Sequence, residues 1–93
     1  MTIKSFKCAE TERMFNGERV KRFANIQAGA MRKLAILNRA GKLEDLRVPP
    51  GNRLEALKGT RAGRWSIRIN EQYRITFRFE EGHIYEVCCE DYH

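Results

Sequence analysis

Histidine is nearly missing from this chain. His83 and His93 are the only two imidazoles among 93 residues, and neither stands at a spacing that completes a known ligand set. A metal centre is therefore not expected. Cysteine is also scarce: Cys8, Cys88 and Cys89 make an odd number with no zinc or redox spacing. A vicinal Cys88–Cys89 disulfide would be strained, so reduced thiols packed in a strand are the reading, which fits a cytoplasmic address. No Gly-rich loop is present to cradle a phosphate, which argues against nucleoside triphosphate chemistry, and no other cofactor is implied. No Ser or Cys nucleophile has a recognisable motif around it. Apolar runs of membrane-spanning length, signal peptides and lipidation patterns are not visible, so no membrane partner is expected. Without repeats, linkers or low-complexity tracts, residues 1–93 read as one domain near the low end of independent folding size.

Charge, by contrast, is plentiful. Charged residues make up 32% of the chain and hydrophobic ones 42%, a globular balance with a formal net charge of +6. The excess of cations favours an anionic partner such as nucleic acid, phosphate or acidic protein. It is unevenly spread. Arg53, Lys58, Arg61, Arg64, Arg68, Arg74 and Arg78 dominate one segment, and after Arg78 only carboxylates follow: Glu80, Glu81, Glu86, Glu90 and Asp91. If the basic and acidic segments form neighbouring strands, guanidinium groups lie beside carboxylates.

Periodicity supplies the elements. "TIKSFK" reads as a short edge strand. "AETERMFNGE" reads as a short helix stopped near Asn16-Gly17. Asn25 is placed to cap a second helix over residues 26–40, with Ile26, Ala30, Leu34 and Leu37 on one face and Gly41 ending it. Pro49 and Pro50 break the chain. A short strand over residues 54–57 follows, then "RWSIRI", "YRITFRF" and "HIYEVCCEDY", joined by turns at Asn70-Glu71-Gln72 and Glu81-Gly82. Trp65, Phe77 and Phe79 share the phase of Ile67 and Ile75 and read as core, while His83 reads as surface. The result is an α+β domain with helices on one face of a meander. Arg68, Arg74, Thr76 and Arg78 occupy the other face, suited to a phosphate backbone.

RNA cleavage needs little from a protein, because the substrate's own 2′-hydroxyl is the nucleophile. Cations must stabilise the phosphorane, and general acids and bases must move two protons. The composition permits this without establishing it. The run "PPGNRLEALKGTRAGRWSIRINEQYRITFRF", followed by "EDYH", resembles the HigB toxins, the plasmid-maintenance killer branch of the RelE superfamily. The resemblance extends from "IKSF" to the last residue. It implies a RelE-like fold, with two N-terminal helices packed on one face of a curved, mainly antiparallel sheet. It also implies a toxin of a type II toxin–antitoxin system that cleaves mRNA in the ribosomal A site without metal. The implied partners are the 70S ribosome with its mRNA, and a helix-turn-helix, HigA-like antitoxin through which operator DNA is bound.

The resemblance places the active site on Lys58, Arg74, Asp91, Tyr92 and His93. Lys58 and Arg74 would hold the scissile phosphate. Asp91 and His93 would handle protons, and Tyr92 would stack on a base. Asp91 also has a structural reading, as an ion-pair partner of Arg74 or Lys58. As the last residue, His93 would carry an α-carboxylate beside its ring, which favours imidazolium. Glu55 stands where some relatives have histidine, so a carboxylate would have to take over that role. Arg61, Arg64, Arg68 and Arg78 would line the RNA groove. A competing reading from another class is a non-catalytic basic module that inhibits by occupying rRNA or antitoxin.

Overall fold

The computed structural model describes residues 1–91, so Tyr92 and His93 lie outside the described residues. The first helix, α1 (Ala9–Phe15), is followed by Asn16 and by Gly17 at φ 90°, a left-handed stop that only glycine adopts without steric cost. The second helix, α2 (Gln27–Arg39), is one residue shorter at each end than the periodicity predicts. Its N-cap is Ile26, without a side-chain hydrogen bond, so Asn25 does not cap it. Instead the Gln27 side chain ties the helix start to the preceding loop, accepting from Val20 N at 2.9 Å and donating to Glu18 O at 2.7 Å.

Four antiparallel strands follow in sheet order: β1 (Glu55–Ala56), β2 (Arg64–Arg68), β3 (Tyr73–Glu80) and β4 (His83–Asp91). The helices cover one face. Leu34 and Leu37 of α2 meet Ile67, Ile75 and Phe77 of the sheet in a core where all five are fully buried. Burying such side chains contributes about 1.5–3 kcal/mol each before entropy is counted. Trp65 and Phe79 sit half-buried at its edge rather than inside it. The β3–β4 hairpin turns on Glu81 and Gly82 with φ of 48° and 81°, the pair of positive values a type I′ turn requires.

One irregularity sets which β4 side chains reach which face. Thr76 pairs with Cys88 and Arg78 with Tyr85, so Phe77 faces two residues, Glu86 and Val87. Glu86 takes φ 54°, a bulge that steps the alternation by one. Ile84, Val87 and Cys89 therefore all point into the core, while Cys88 and Glu90 follow the phase of Thr76 and Arg74.

The same bulge explains the N-terminal segment. The expected edge strand is only two parallel bridges, Ile3 to Ile84 and Phe6 to Val87. Each bridge partner is three residues from the next on both chains, so no regular ladder forms. Ser5 Oγ accepts from Glu86 N at 2.9 Å and so satisfies the bulge's amide. Burial pushes the thiols of Cys88 and Cys89 up to about 12, consistent with reduced packing groups. Among the described residues no helix is long and apolar enough to cross a membrane.

Candidate active site

The face opposite the helices is polar but not open. Across β2 and β3 the register pairs Arg64 with Arg78, Ser66 with Thr76, and Arg68 with Arg74. Ser66 and Thr76 are fully buried along its middle, and Arg74 is only 7% exposed. A buried guanidinium must have its charge answered, and among the described residues Arg53 and Glu55 contribute to this. Arg74 Nη2 donates to the carbonyl of Arg53 at 2.5 Å, and Arg74 Nη1 lies 3.6 Å from Glu55 Oε1. Arg53 offers that carbonyl from a left-handed conformation (φ 46°, ψ 57°) at the end of the Pro50–Asn52 turn.

A cleft of about 360 Å³ opens over this arrangement, lined by Arg53, Arg68, Arg74, Asn70 and Glu71. Arg68 is answered only weakly, by Glu71 at 3.9 Å on a side chain 94% exposed. Three guanidiniums thus line one cleft and make it strongly cationic. Lys58 lies two residues beyond β1, exposed, at the start of the Gly59–Arg61 turn. It makes no ion pair with a described residue.

The other expected groove residues are engaged within the protein. Arg61 pairs with Glu90 at 2.6 Å. Arg64 reaches Thr76 Oγ1 at 3.1 Å, Glu86 O at 2.8 Å and Glu86 Oε1 at 3.2 Å. Arg78 bonds Glu80, sits 3.7 Å from Glu86 and stacks 4.7 Å over Tyr85. The expected pairing of basic and acidic strands is thus present, and it uses up these charges. Asp91, in register with Tyr73, accepts from Gln72 Nε2 at 2.9 Å.

Glu90 is half-buried on the polar face. Burial alone would raise its pKa, but the Thr76 hydroxyl and the Arg61 guanidinium outweigh that and hold it below the usual carboxylate range.

Sequence reasoning named Glu55, Arg68 and Arg74, which the structure brings to one place. It missed Arg53, counted only in the basic segment, Asn70 and Glu71, read only as turn residues, and Glu90, read only as strand charge. A signal for Glu90 existed: Ile84 and Val87 are three apart, which breaks a period of two and shifts Glu90 onto the Arg74 face.

The fold built around this site is that of the YoeB toxins. The chain aligns over 100% of its length with the YoeB/ParE toxin from Agrobacterium tumefaciens, covering 100% of that chain at 20% identity and TM-score 0.56. It aligns over the same share with a chain of the YoeB-YefM complex from Staphylococcus aureus, covering 99% of it at 20% identity and TM-score 0.57.

Within that class the sequence is more specific. Residues 4–93 match the HigB-like toxin family, described as the RelE-like toxin of type II toxin-antitoxin system HigB, and the chain belongs to that family. It is 48% identical over 59 residues to Toxin HigB-1 of Vibrio cholerae serotype O1, a match spanning 63% of this chain and 62% of that protein. It is 49% identical over 41 residues to Endoribonuclease HigB of Proteus vulgaris, spanning 44% and 45%. The matched segments thus span about half to three fifths of these relatives' lengths.

Proposed function

We propose that this toxin is a ribosome-dependent endoribonuclease that cuts mRNA in the A site without metal, and so stops translation. The observation that carries the reading is the buried Arg74, held by Glu55 and the Arg53 carbonyl at the floor of a cleft with two further guanidiniums. The name of the Proteus relative supports the same activity.

In the reaction, the 2′-hydroxyl oxygen attacks the adjacent phosphorus and the bond to the 5′-oxygen breaks. A 2′,3′-cyclic phosphate and a free 5′-hydroxyl result. Arg74 at the cleft floor, with Lys58 from the loop beyond β1, would neutralise the charge that builds on the phosphorane oxygens. Glu55, 53% exposed and 3.6 Å from Arg74, would accept the 2′-hydroxyl proton or orient the guanidinium. Asp91 and His93 are assigned to proton handling at the leaving oxygen, and Tyr92 to stacking on a base. Arg53 and Arg68 would hold flanking phosphates.

The proposed partners are the ribosome with its mRNA, and an antitoxin of the helix-turn-helix, HigA-like kind that carries any contact to operator DNA. Complexes of the YoeB-YefM type among the structural neighbours support a toxin neutralised by a bound protein.

The test is primer extension on programmed ribosomes with purified protein. New 5′ ends within the A-site codon, with a cyclic phosphate on the upstream fragment, are expected. Ribosome binding without any cut would instead make this a module that inhibits by occupancy.

A further inference from the structure

Glu90 belongs to a chain of hydrogen bonds outside the cleft. It stands in register with Arg74, one strand further across the sheet. Its carboxylate accepts from the hydroxyl of fully buried Thr76 and from Arg61 Nη2 at 2.6 Å. Arg64 donates to the same Thr76 oxygen at 3.1 Å, so the donor direction is consistent along the whole chain.

The two ends of this network matter. Arg61 closes the turn that begins at Lys58, its N–H donating to the Lys58 carbonyl at 3.2 Å. Glu90 immediately precedes Asp91, Tyr92 and His93. Among the described residues, Arg61 to Glu90 is the one side-chain hydrogen bond that ties residues 58–63 to another part of the chain. The loop is otherwise exposed, with Thr60, Ala62 and Gly63 all facing solvent. Its position against β4 is therefore set largely by one carboxylate.

We propose that Glu90 is a positioning residue that pins the Lys58–Arg61 loop to the end of β4. It thereby fixes Lys58 relative to Asp91 without touching substrate. The inference rests on the reading of Lys58 and residues 91–93 as the cleavage site. Arg61 then serves cleavage through Glu90 and not as an RNA contact. A held carboxylate suits that duty, since it stays ionised at neutral pH and its partners, not its proton, do the work. Small displacements of a catalytic cation are costly: about 1 Å can reduce rate roughly 10²-fold.

Two measurements test this. In hydrogen exchange, Glu90→Gln should speed the amides of Arg61 and Ala62 at least about 5-fold, because the loop opens more often. Unchanged rates would overturn the proposal whether or not the protein cuts RNA. Arg61→Ala, on a side chain already 35% exposed, gives a second route should Glu90→Gln lose its fold. On programmed ribosomes each variant should cut about 10–50-fold more slowly, with ribosome affinity within about 2-fold, and the double variant should be no slower than the worse single. Multiplying losses together with weaker ribosome binding would show Arg61 acting on RNA directly and overturn the clamp. A wild-type protein that cuts nothing would instead sink the cleavage reading, and the exchange result would still decide the clamp.

Discussion

The polar face of the sheet has two ends built from the same residue type and put to different use. At the end beside the Asn70–Gln72 turn, Arg68 and Arg74 pair across the strands and, with Arg53, line an open cationic cleft. At the Glu81–Gly82 end, Arg64 and Arg78 pair in the same way, yet Glu86 and Glu80 hold them. Arginine content alone therefore says nothing about where RNA lies. What separates the ends is the acidic strand: its bulge at Glu86 turns a carboxylate onto Arg64 and Arg78 at one end, while at the other Glu90 is engaged by Arg61 and Thr76, and among the described residues Glu55 and the exposed Glu71 lie beside Arg74 and Arg68.

Reversing one charge at the rim of the open end should do heavy damage. Arg68→Glu is expected to slow A-site cleavage on the order of 10²-fold, by replacing an attraction for phosphate with a repulsion. A loss under threefold in single-turnover assays would put RNA elsewhere.

The closed end should matter for stability instead. Arg64 is 12% exposed and serves Thr76 and Glu86 together, so Arg64→Ala should cost about 1–3 kcal/mol in urea unfolding. Arg68→Ala should stay within about 0.5 kcal/mol.

The difference between the ends can also be erased. Glu86→Gln releases charge from Arg64 and Arg78, so binding to single-stranded RNA should tighten about 3-fold and its salt slope should steepen by about one phosphate contact. An unchanged slope would mean that Glu86 is not what closes this end.

A smaller effect follows pH. Glu90 is held below the ordinary glutamate value, so its contribution is fully present above about pH 4.3 and is lost as pH falls through the lower folded value. Wild type should exceed Glu90→Gln in stability at pH 7 and converge on it in strong acid. A gap that persists unchanged at low pH would contradict the assignment.

Much of this was legible in the sequence, for identifiable reasons. Alternation in "RWSIRI" and "YRITFRF" placed Arg68 and Arg74 on one face and Ile67 and Ile75 on the other, because both strands keep period two without interruption. Asn16-Gly17 stopped α1 for the reason expected. The capping of α2 was not legible, since Gln27 acts through a loop folded back onto it. Nor was the N-terminal edge, whose bridges depend on a bulge 81 residues away in the chain. The cleft itself depends on Arg53 adopting a left-handed conformation, and on which guanidiniums find carboxylates. Both are outcomes of packing rather than of pattern.

The central claim is that Arg74, and not arginine in general, works on the scissile phosphate. Mapping mRNA ends on programmed ribosomes with Arg74→Ala beside Arg78→Ala tests it directly. A-site cuts should vanish or fall about 10²–10³-fold with Arg74→Ala and persist within about 3-fold with Arg78→Ala. Equal loss in both variants, or undiminished cutting by Arg74→Ala, would contradict it.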